Sequence, residues 1–471
     1  MTFAGPLRYN NRLALTQRRN TLRMNDNAAS GIPCIATTAG DLERESKSRL
    51  YNLLEALGIM TFILVLLWPV AYLFGVLGKN DSVNTFANIL IFMGAFYLLF
   101  VSPFIHKDTL NSWGLGSPWT LWSMLRHGSP RQRGILITII STLFVALNYV
   151  CFSQWREVEG FFKFNKLAAF FGFPEAHIEQ FNTSVPGVFF VLAFGSLLSF
   201  LIITFGIRYD NFGSAFKTAM LVALPLLAVT FLAAFLHRGM GAFKNFSLGM
   251  WALGVLGYVF WGFVQQLLFS SYFGTRFRKA FAPSKNPNNT LPPAGRLKMA
   301  LTFGLAFSAV SATLVFLGVS YLYGASSLSF TILAWLAVFT FPMGLAYGYF
   351  YSLDKKRLLV ATLCATCFGL IHIDSYGLVA VTWGLGIILV YVFMEEKNRN
   401  LVALGFIHGL LGSSFGQLFS HNDSGVLEVD YSVGPWNVED PAITGLIFPM
   451  LCITAYIALM IWATRHLQDT E

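Results

Sequence analysis

PGVFFVLAFGSLLSFLIITFGI, residues Pro186 to Ile207, holds no charged side chain from end to end. Bilayer hydrocarbon is about 30 Å thick and an α-helix rises about 1.5 Å per residue, so about 20 apolar residues in a row cross it. The chain repeats this pattern, giving apolar segments at 53–78, 84–105, 134–152, 186–207, 216–237, 246–274, 299–323, 328–351, 357–373, 375–394, 401–420 and 442–464. None alternates with the period of two that marks a membrane β-strand, so helices are left to satisfy the backbone in lipid. Only 12% of the residues are charged and Phe alone occurs 47 times, whereas soluble domains carry roughly a quarter charged residues. The expected fold is an all-α polytopic transmembrane bundle of about twelve spans.

Charge orients the bundle. With the N-terminal tail inside, all Lys and Arg but Lys79, Arg156, Lys163, Lys166, Arg238 and Lys244 fall on the cytoplasmic side. Such asymmetry is the positive-inside pattern, and an odd number of spans would spoil it. Both termini are therefore expected to be cytoplasmic. The net charge of +9 is accounted for by topology and attraction to anionic headgroups, with the lipid bilayer as partner and no nucleic acid. A bacterial inner membrane is the expected location, an organellar membrane the alternative. Residues 1–23 hold five Arg and no acid, a composition shared by transit peptides and basic tails, and Met24 is an alternative start.

The chain divides into a polar tail (1–52), a five-span region (53–240), a region rich in intramembrane polar groups (246–420), and an outer loop with the last span and tail (421–471). In the loop 153–185, Trp155, Phe161, Phe162, Phe170 and Phe171 alternate with charges, the pattern of an interfacial amphipathic helix. The stretch from Arg276 to Lys298 is basic and rich in Pro and Asn, and reads as a flexible linker. The acidic stretch from Asn422 to Asp440 falls outside. Five scattered cysteines imply no disulfide framework, and the C-x-x-C pair Cys364 and Cys367 reads as thiols packing between helices.

Ionisable groups deep in spans are expensive and mark function by default. The scan leaves His372, at the end of the ninth segment, and His408, a third of the way into the eleventh, together with the amide pair Gln265 and Gln266 in the sixth. A buried amide needs partners for both donor and acceptor, so adjacent amides seldom face lipid. Each of them taken singly also fits a helix–helix hydrogen bond without chemistry.

The run Phe368-Gly-Leu-Ile-His372, followed one span later by Asn400-Leu-Val-Ala-Leu-Gly-Phe-Ile-His408, resembles the CAAX protease and bacteriocin-processing (CPBP, or Abi) family of intramembrane proteases. That family carries EExxxR on one helix, FxxxH on a later one and HxxxN or HxxxD on a third. Phe368 and His372 match the second motif, and His408 matches the start of the third. The resemblance implies a catalytic centre at His372, His408, Gln265 and Gln266, with His372 and His408 as metal ligands, zinc as the metal, and a membrane-embedded or lipidated peptide as substrate.

The departures are chemical. The closest stand-in for the first motif is Gln265-Gln266-Leu-Leu-Phe-Ser270, which keeps the pair but loses both carboxylates and the Arg, and two additional spans separate it from His372. Family spacing points instead to Pro342-Met343 with Tyr347-Gly348, and Glu395-Glu396 with Arg399 is one residue short. The third motif ends in Gly412, beside Ser413. Glutamine cannot take a proton from water as the family's glutamate is thought to do, glycine has no side chain for an oxyanion, and two histidines fall short of zinc's usual three protein ligands. Three readings result: an endopeptidase with Glu395 or Glu396 folded inward as base, a silent family member that binds a membrane peptide or assists a complex, and a proton-coupled transporter. Along the helices, His372 lies roughly 8–10 Å deeper than Gln265 and His408.

Overall fold

The computed structural model describes residues 39–68, 70, 74, 78–162, 164–165, 178, 180–281, 291–323, 330–373, 376–419 and 441–469. The basic stretch 1–23, Met24, Phe170, Phe171, most of the 276–298 linker's Pro/Asn-rich centre and the acidic stretch 422–440 lie outside them. Among the described residues every regular element is helical. In order these are α1 (Ala39–Val65), α2 (Asp81–Phe96, continued to Ile105), α3 (Pro118–His127), α4 (Pro130–Ser153), α5 (Trp155–Phe162), α6 (Val185–Leu201) and α7 (Phe212–Arg238). There follow α8 (Leu248–Phe281, with a π-turn at Leu267–Phe273), α9 (Pro293–Tyr323), α10 (Phe330–Leu353), α11 (Lys355–Leu370), α12 (Tyr376–Phe393), α13 (Leu401–Leu418) and α14 (Pro441–Asp469).

Each of the twelve apolar segments overlaps one long helix. Among the described residues eight helices are long and apolar enough to cross a bilayer: α1, α2, α4, α6, α7, α8, α13 and α14. The chain is thus an all-α, multi-pass membrane bundle. α11 has 16 residues and reaches about 24 Å, short of a full hydrocarbon crossing.

Sequence explains the helix starts. Ser129 and Gln132 form a reciprocal capping box at α4, with Pro130 in the first turn. Asp354 caps α11 through Arg357 N, and Asn400 caps α13 through Val402 N and Ala403 N. The apolar surface is turned outward where lipid replaces water: on α2, Phe92, Met93, Phe96, Phe100 and Phe104 are all exposed. By contrast, α13 is the most buried of the candidate spans, at 61% of its window against 6% for α2.

α8, α11, α12 and α13 form the centre. α8 lies along α13, α11 along α12, and α7 covers the other flank of α13, while α1 packs on the end of α8 and on α14. α9 and α10 pair as a hairpin so tight that a methyl on Gly344 would lie 2.4 Å from Phe303 O. This hairpin leaves and rejoins the core on one side, so the two intervening helices do not separate α8 from α11.

Two expectations are corrected. The 276–298 linker is shorter than its composition indicated, because α8 runs on to Phe281 and α9 begins at Pro293. Tyr272, Arg276 and Lys279 share one face of the extension, and α1 and α2 supply polar partners for that face. The expected interfacial anchor Trp155 is instead 0% exposed. It stacks with Phe164 and Phe181, and its indole N–H donates to Ile178 O at 2.7 Å. Cys364 and Cys367 are free thiols in the main core.

Candidate functional site

The seam between α8 and α13 is built from small residues, which let helix backbones approach in lipid. A methyl on Gly405 would lie 2.6 Å from Val259 O, and one on Gly409 would lie 2.6 Å from Val255 O. Gly412 faces the ring of Tyr258, with Cδ1 2.8 Å from such a methyl. An Asn or Asp at 412 would collide with that ring, so its place in the third motif is taken by packing. Ser413 is also committed, donating to Trp251 O at 2.7 Å.

The same seam seats His408. Its side chain lies over Gly262, where an added methyl would be 2.5 Å from His408 Cβ and 2.7 Å from Cγ. One turn further along α8, Gln265 and Gln266 straddle the face that Gly262 opens. Gln266 is 0% exposed and its Oε1 accepts a short hydrogen bond from Ser270 Oγ. Three polar atoms here are buried with no hydrogen-bond partner: Gln265 Oε1, Gln266 Nε2 and His408 Nδ1.

α11 closes the group. The helix ends at Leu370, and His372 sits in the turn behind it, its backbone N–H bonded to Gly369 O at 3.0 Å. The imidazole turns back so that Nδ1 lies 3.0 Å from Phe368 O. The Phe368 ring meets His372 edge-on with centroids 5.3 Å apart, His408 at 6.4 Å, and Phe269 of α8 at 4.9 Å. One aromatic ring therefore joins all three motif-bearing helices, and it brings His372, His408 and the Gln265–Gln266 segment into one neighbourhood.

The other first-motif candidates lie elsewhere. Met343 packs against Gly384 of α12, and Tyr347 packs on Phe303 and Phe307. Glu395 pairs with Arg357 at 3.0 Å and Lys397 at 3.1 Å, and the Glu396 side chain is 81% exposed. Burial alone would raise the Glu395 carboxyl, but hydrogen bonds from Arg357 and Lys397 outweigh it and hold it below the usual range. Neither glutamate folds inward, which removes the base required of the endopeptidase reading. The donor set does not fit zinc either. Among the described residues no three His, Cys, Asp or Glu side chains gather as a metal site, and two imidazoles with neutral amides supply neither the third strong ligand nor a carboxylate.

A second polar interior, centred on Arg276, was not read from the sequence. Arg276 Nη2 donates to Asp108 Oδ2 at 2.6 Å and Ser102 Oγ at 2.7 Å, and Nη1 to Asn52 Oδ1 at 3.3 Å. Its Nε makes no hydrogen bond but forms an ion pair with Glu55 Oε1 at 3.3 Å. Glu55 also accepts from Ser102 Oγ and Tyr272 OH and makes a short contact with His106 Nε2. Asp108 further accepts from Lys279 Nζ at 2.5 Å and Trp113 Nε1 at 3.2 Å. Burial would raise the Asp108 carboxyl, and the bonds from Lys279 and Arg276 override it and keep it below the usual range. The signal was present: Glu55 lies inside the first apolar segment, and Arg276 follows Tyr272 by one helical turn.

No protein-family model, curated protein or solved structure matches the chain.

Proposed function

We propose that this protein is a member of the CAAX protease and bacteriocin-processing type that binds a membrane-embedded or lipidated peptide at the Gln265–Gln266–His408 face and does not hydrolyse it unaided. The observation that carries this reading is the set of open hydrogen-bonding positions on Gln265 Oε1, Gln266 Nε2 and His408 Nδ1. An extended peptide in lipid brings the complementary need, since its own N–H and C=O groups have no water to bond. An acceptor beside a donor satisfies both, each bond contributing about 0.5–1.5 kcal/mol net. The same residues lack what hydrolysis requires. No carboxylate stands at 265 or 266 to take a proton from water, and Gly412 gives its space to Tyr258 rather than to an oxyanion donor.

On this reading all twelve apolar segments cross the membrane, the 16 residues of α11 being extended by the turn at 371–373, with both termini on the basic, cytoplasmic side. The membrane is a bacterial inner membrane. Support for the orientation comes from the gathering of the Lys- and Arg-bearing loops at one end, where Arg208 bonds to Asn111 O and Arg399 O and Leu401 N bonds to Gly114 O.

The test uses purified full-length protein in nanodiscs with a single-span peptide carrying a photo-activatable residue. Crosslinking to wild type, recovery of intact peptide, and loss of crosslinking in His408→Ala and Gln266→Leu at unchanged accumulation are the expected results. Cleavage by wild type that His408→Ala abolishes would make the centre an enzyme and overturn the proposal. Proton-coupled flux in liposomes abolished by the same substitution would make it a transporter.

A further inference from the structure

Where α8 ends beside the turn from α12 to α13, the guanidiniums of Arg208, Arg278 and Arg357 all lie within electrostatic reach of Arg399. Two of the four are neutralised. Arg208 grips Asp210 through Nε and Nη2, at 3.0 and 2.9 Å. Arg357 pairs with Glu395 at 3.0 Å, and Glu395 also holds Lys397 and Asn398. The other two are not. Among the described residues Arg278 makes no hydrogen bond and no ion pair, although its side chain is largely covered. Arg399 donates through Nη2 to Met394 O at 2.6 Å, but its Nε is buried with no partner. Both feel the charge of Glu396, whose side chain is 81% exposed and 4.0 Å from Arg208 instead. Asp108, which Arg278 also feels, already has both oxygens bonded by Lys279, Arg276 and Trp113.

The backbone holds this pair together. Thr275 and Arg278 stand one turn apart on one face of α8, and Thr275 Oγ1 donates to Ser112 O at 3.4 Å. The chain then turns at Gly114, φ +74°, whose carbonyl accepts from Leu401 N at 3.2 Å. A methyl on Gly114 would lie 3.4 Å from Arg399 C, so one tight turn separates the Arg278 face from Arg399. Arg208 Nη1 and Asn211 Nδ2 fix Arg399 O from the other flank. Burial, and after it the charge of Arg278, push the Arg399 guanidinium down to about 9. Like charges this close repel, and a buried donor without an acceptor costs further free energy. An anion between them removes both penalties.

A guanidinium presents a planar fork of donors that matches the oxygens of a phosphate and stays charged at neutral pH. Two such forks carry the charge that a phosphate monoester, at about −1.5 to −2, complements. We infer that Arg278 and Arg399 clamp a phosphate group, carried by a soluble anion or by a lipid headgroup. Arg278 stands twelve residues beyond Gln266 on α8, about 18 Å along the helix, so the clamp is separate from the peptide-binding face and does not depend on it.

The test titrates inorganic phosphate into the purified full-length protein in detergent, at constant ionic strength set with sodium chloride, and reads binding by calorimetry and melting temperature. Saturable binding that raises the melting temperature is expected. Arg278→Gln and Arg399→Gln are each expected to weaken it roughly ten-fold or more, as for loss of charged hydrogen bonds. Arg278→Lys keeps the charge without the fork, is expected to lose several-fold, and keeps the test readable should the Gln variants accumulate poorly. Lys397→Gln, on a side chain 70% exposed, is expected to change binding by no more than about two-fold. Without phosphate, Arg278→Gln is expected to melt at or above the wild-type temperature, because it removes one of two repelling charges. A lower melting temperature there would make Arg278 a structural residue and overturn the clamp, as would equal loss in Lys397→Gln. The same variants in nanodiscs of phosphatidylcholine with phosphatidic acid, read by native mass spectrometry, distinguish the sources. Loss of retained phosphatidic acid in both Arg variants assigns the phosphate to a headgroup, and unchanged retention assigns it to a soluble anion. Saturable binding of neither probe would overturn the site.

Discussion

Two polar interiors share α8 but are treated in opposite ways. Around Arg276, charges of both signs meet hydroxyls, an amide, an indole and a phenol, and nearly every donor and acceptor is matched. Around His408, about three turns away along α8, neutral groups are buried with three atoms unmatched. Burial of an unpaired polar atom costs free energy that a folding requirement alone does not explain. The matched interior therefore serves as a fastening between α1, α2 and α8, and on the proposed function the unmatched one is the part that receives a peptide.

The comparison breaks most visibly at Arg276. Arg276→Met removes one partner from a buried network and strands Glu55 and Asp108, so we expect a loss of about 3–5 kcal/mol, read as a collapse of the melting temperature in detergent. A melting temperature close to wild type would show the cluster to be no fastening at all. Next comes the seat of His408: Gly262→Ala forces the imidazole aside and should cost about 1–3 kcal/mol by overpacking while also abolishing peptide crosslinking. Acid separates the two interiors further. Asp108 has a depressed carboxyl, so its contribution to stability is complete above the unfolded-state value near 3.8 and is lost as pH falls through the lower folded value. Melting curves should therefore hold through mildly acidic pH and then fall below about pH 4, with the Asp108-dependent part of that fall missing in Asp108→Asn. The smallest effect is expected at Gln266. Gln266→Leu removes an unmatched amide and should leave stability within about 1 kcal/mol of wild type, yet erase crosslinking; strong destabilisation would place Gln266 with the fastening instead.

The fold was legible because apolar runs long enough for lipid have few alternative readings, and each run overlaps a long helix. Residues 371–373 show the limit of that reading. Hydropathy carries the ninth segment past His372, whereas α11 stops at Leu370 and the histidine folds back over Phe368. At the site, FxxxH placed Phe368 and His372 on one face by spacing alone. The choice among Gln265–Gln266, Pro342–Met343 and Glu395–Glu396 required knowing that α9 and α10 pair with each other off one side of the core. Gly412 illustrates a different gap: a sequence shows that a polar residue is missing, but only three dimensions show Tyr258 in its place. The Arg276 network stayed hidden because its members come from three span ends, with Glu55 and Tyr272 lying 217 positions apart, and the Pro/Asn-rich composition after it disguised the last turn of α8 as linker.

The glycine seam also restricts how the molecule can respond to an occupant. With Gly405 and Gly409 set against carbonyl oxygens of α8, axial slippage by one turn, about 5.4 Å, would drive full side chains into backbone. α8 and α13 must move as one body. If a peptide enters as proposed, adjustment falls to the turn after α11, where the helix has already ended at Leu370 and His372 packs on the Phe368 ring that links α11 to the pair.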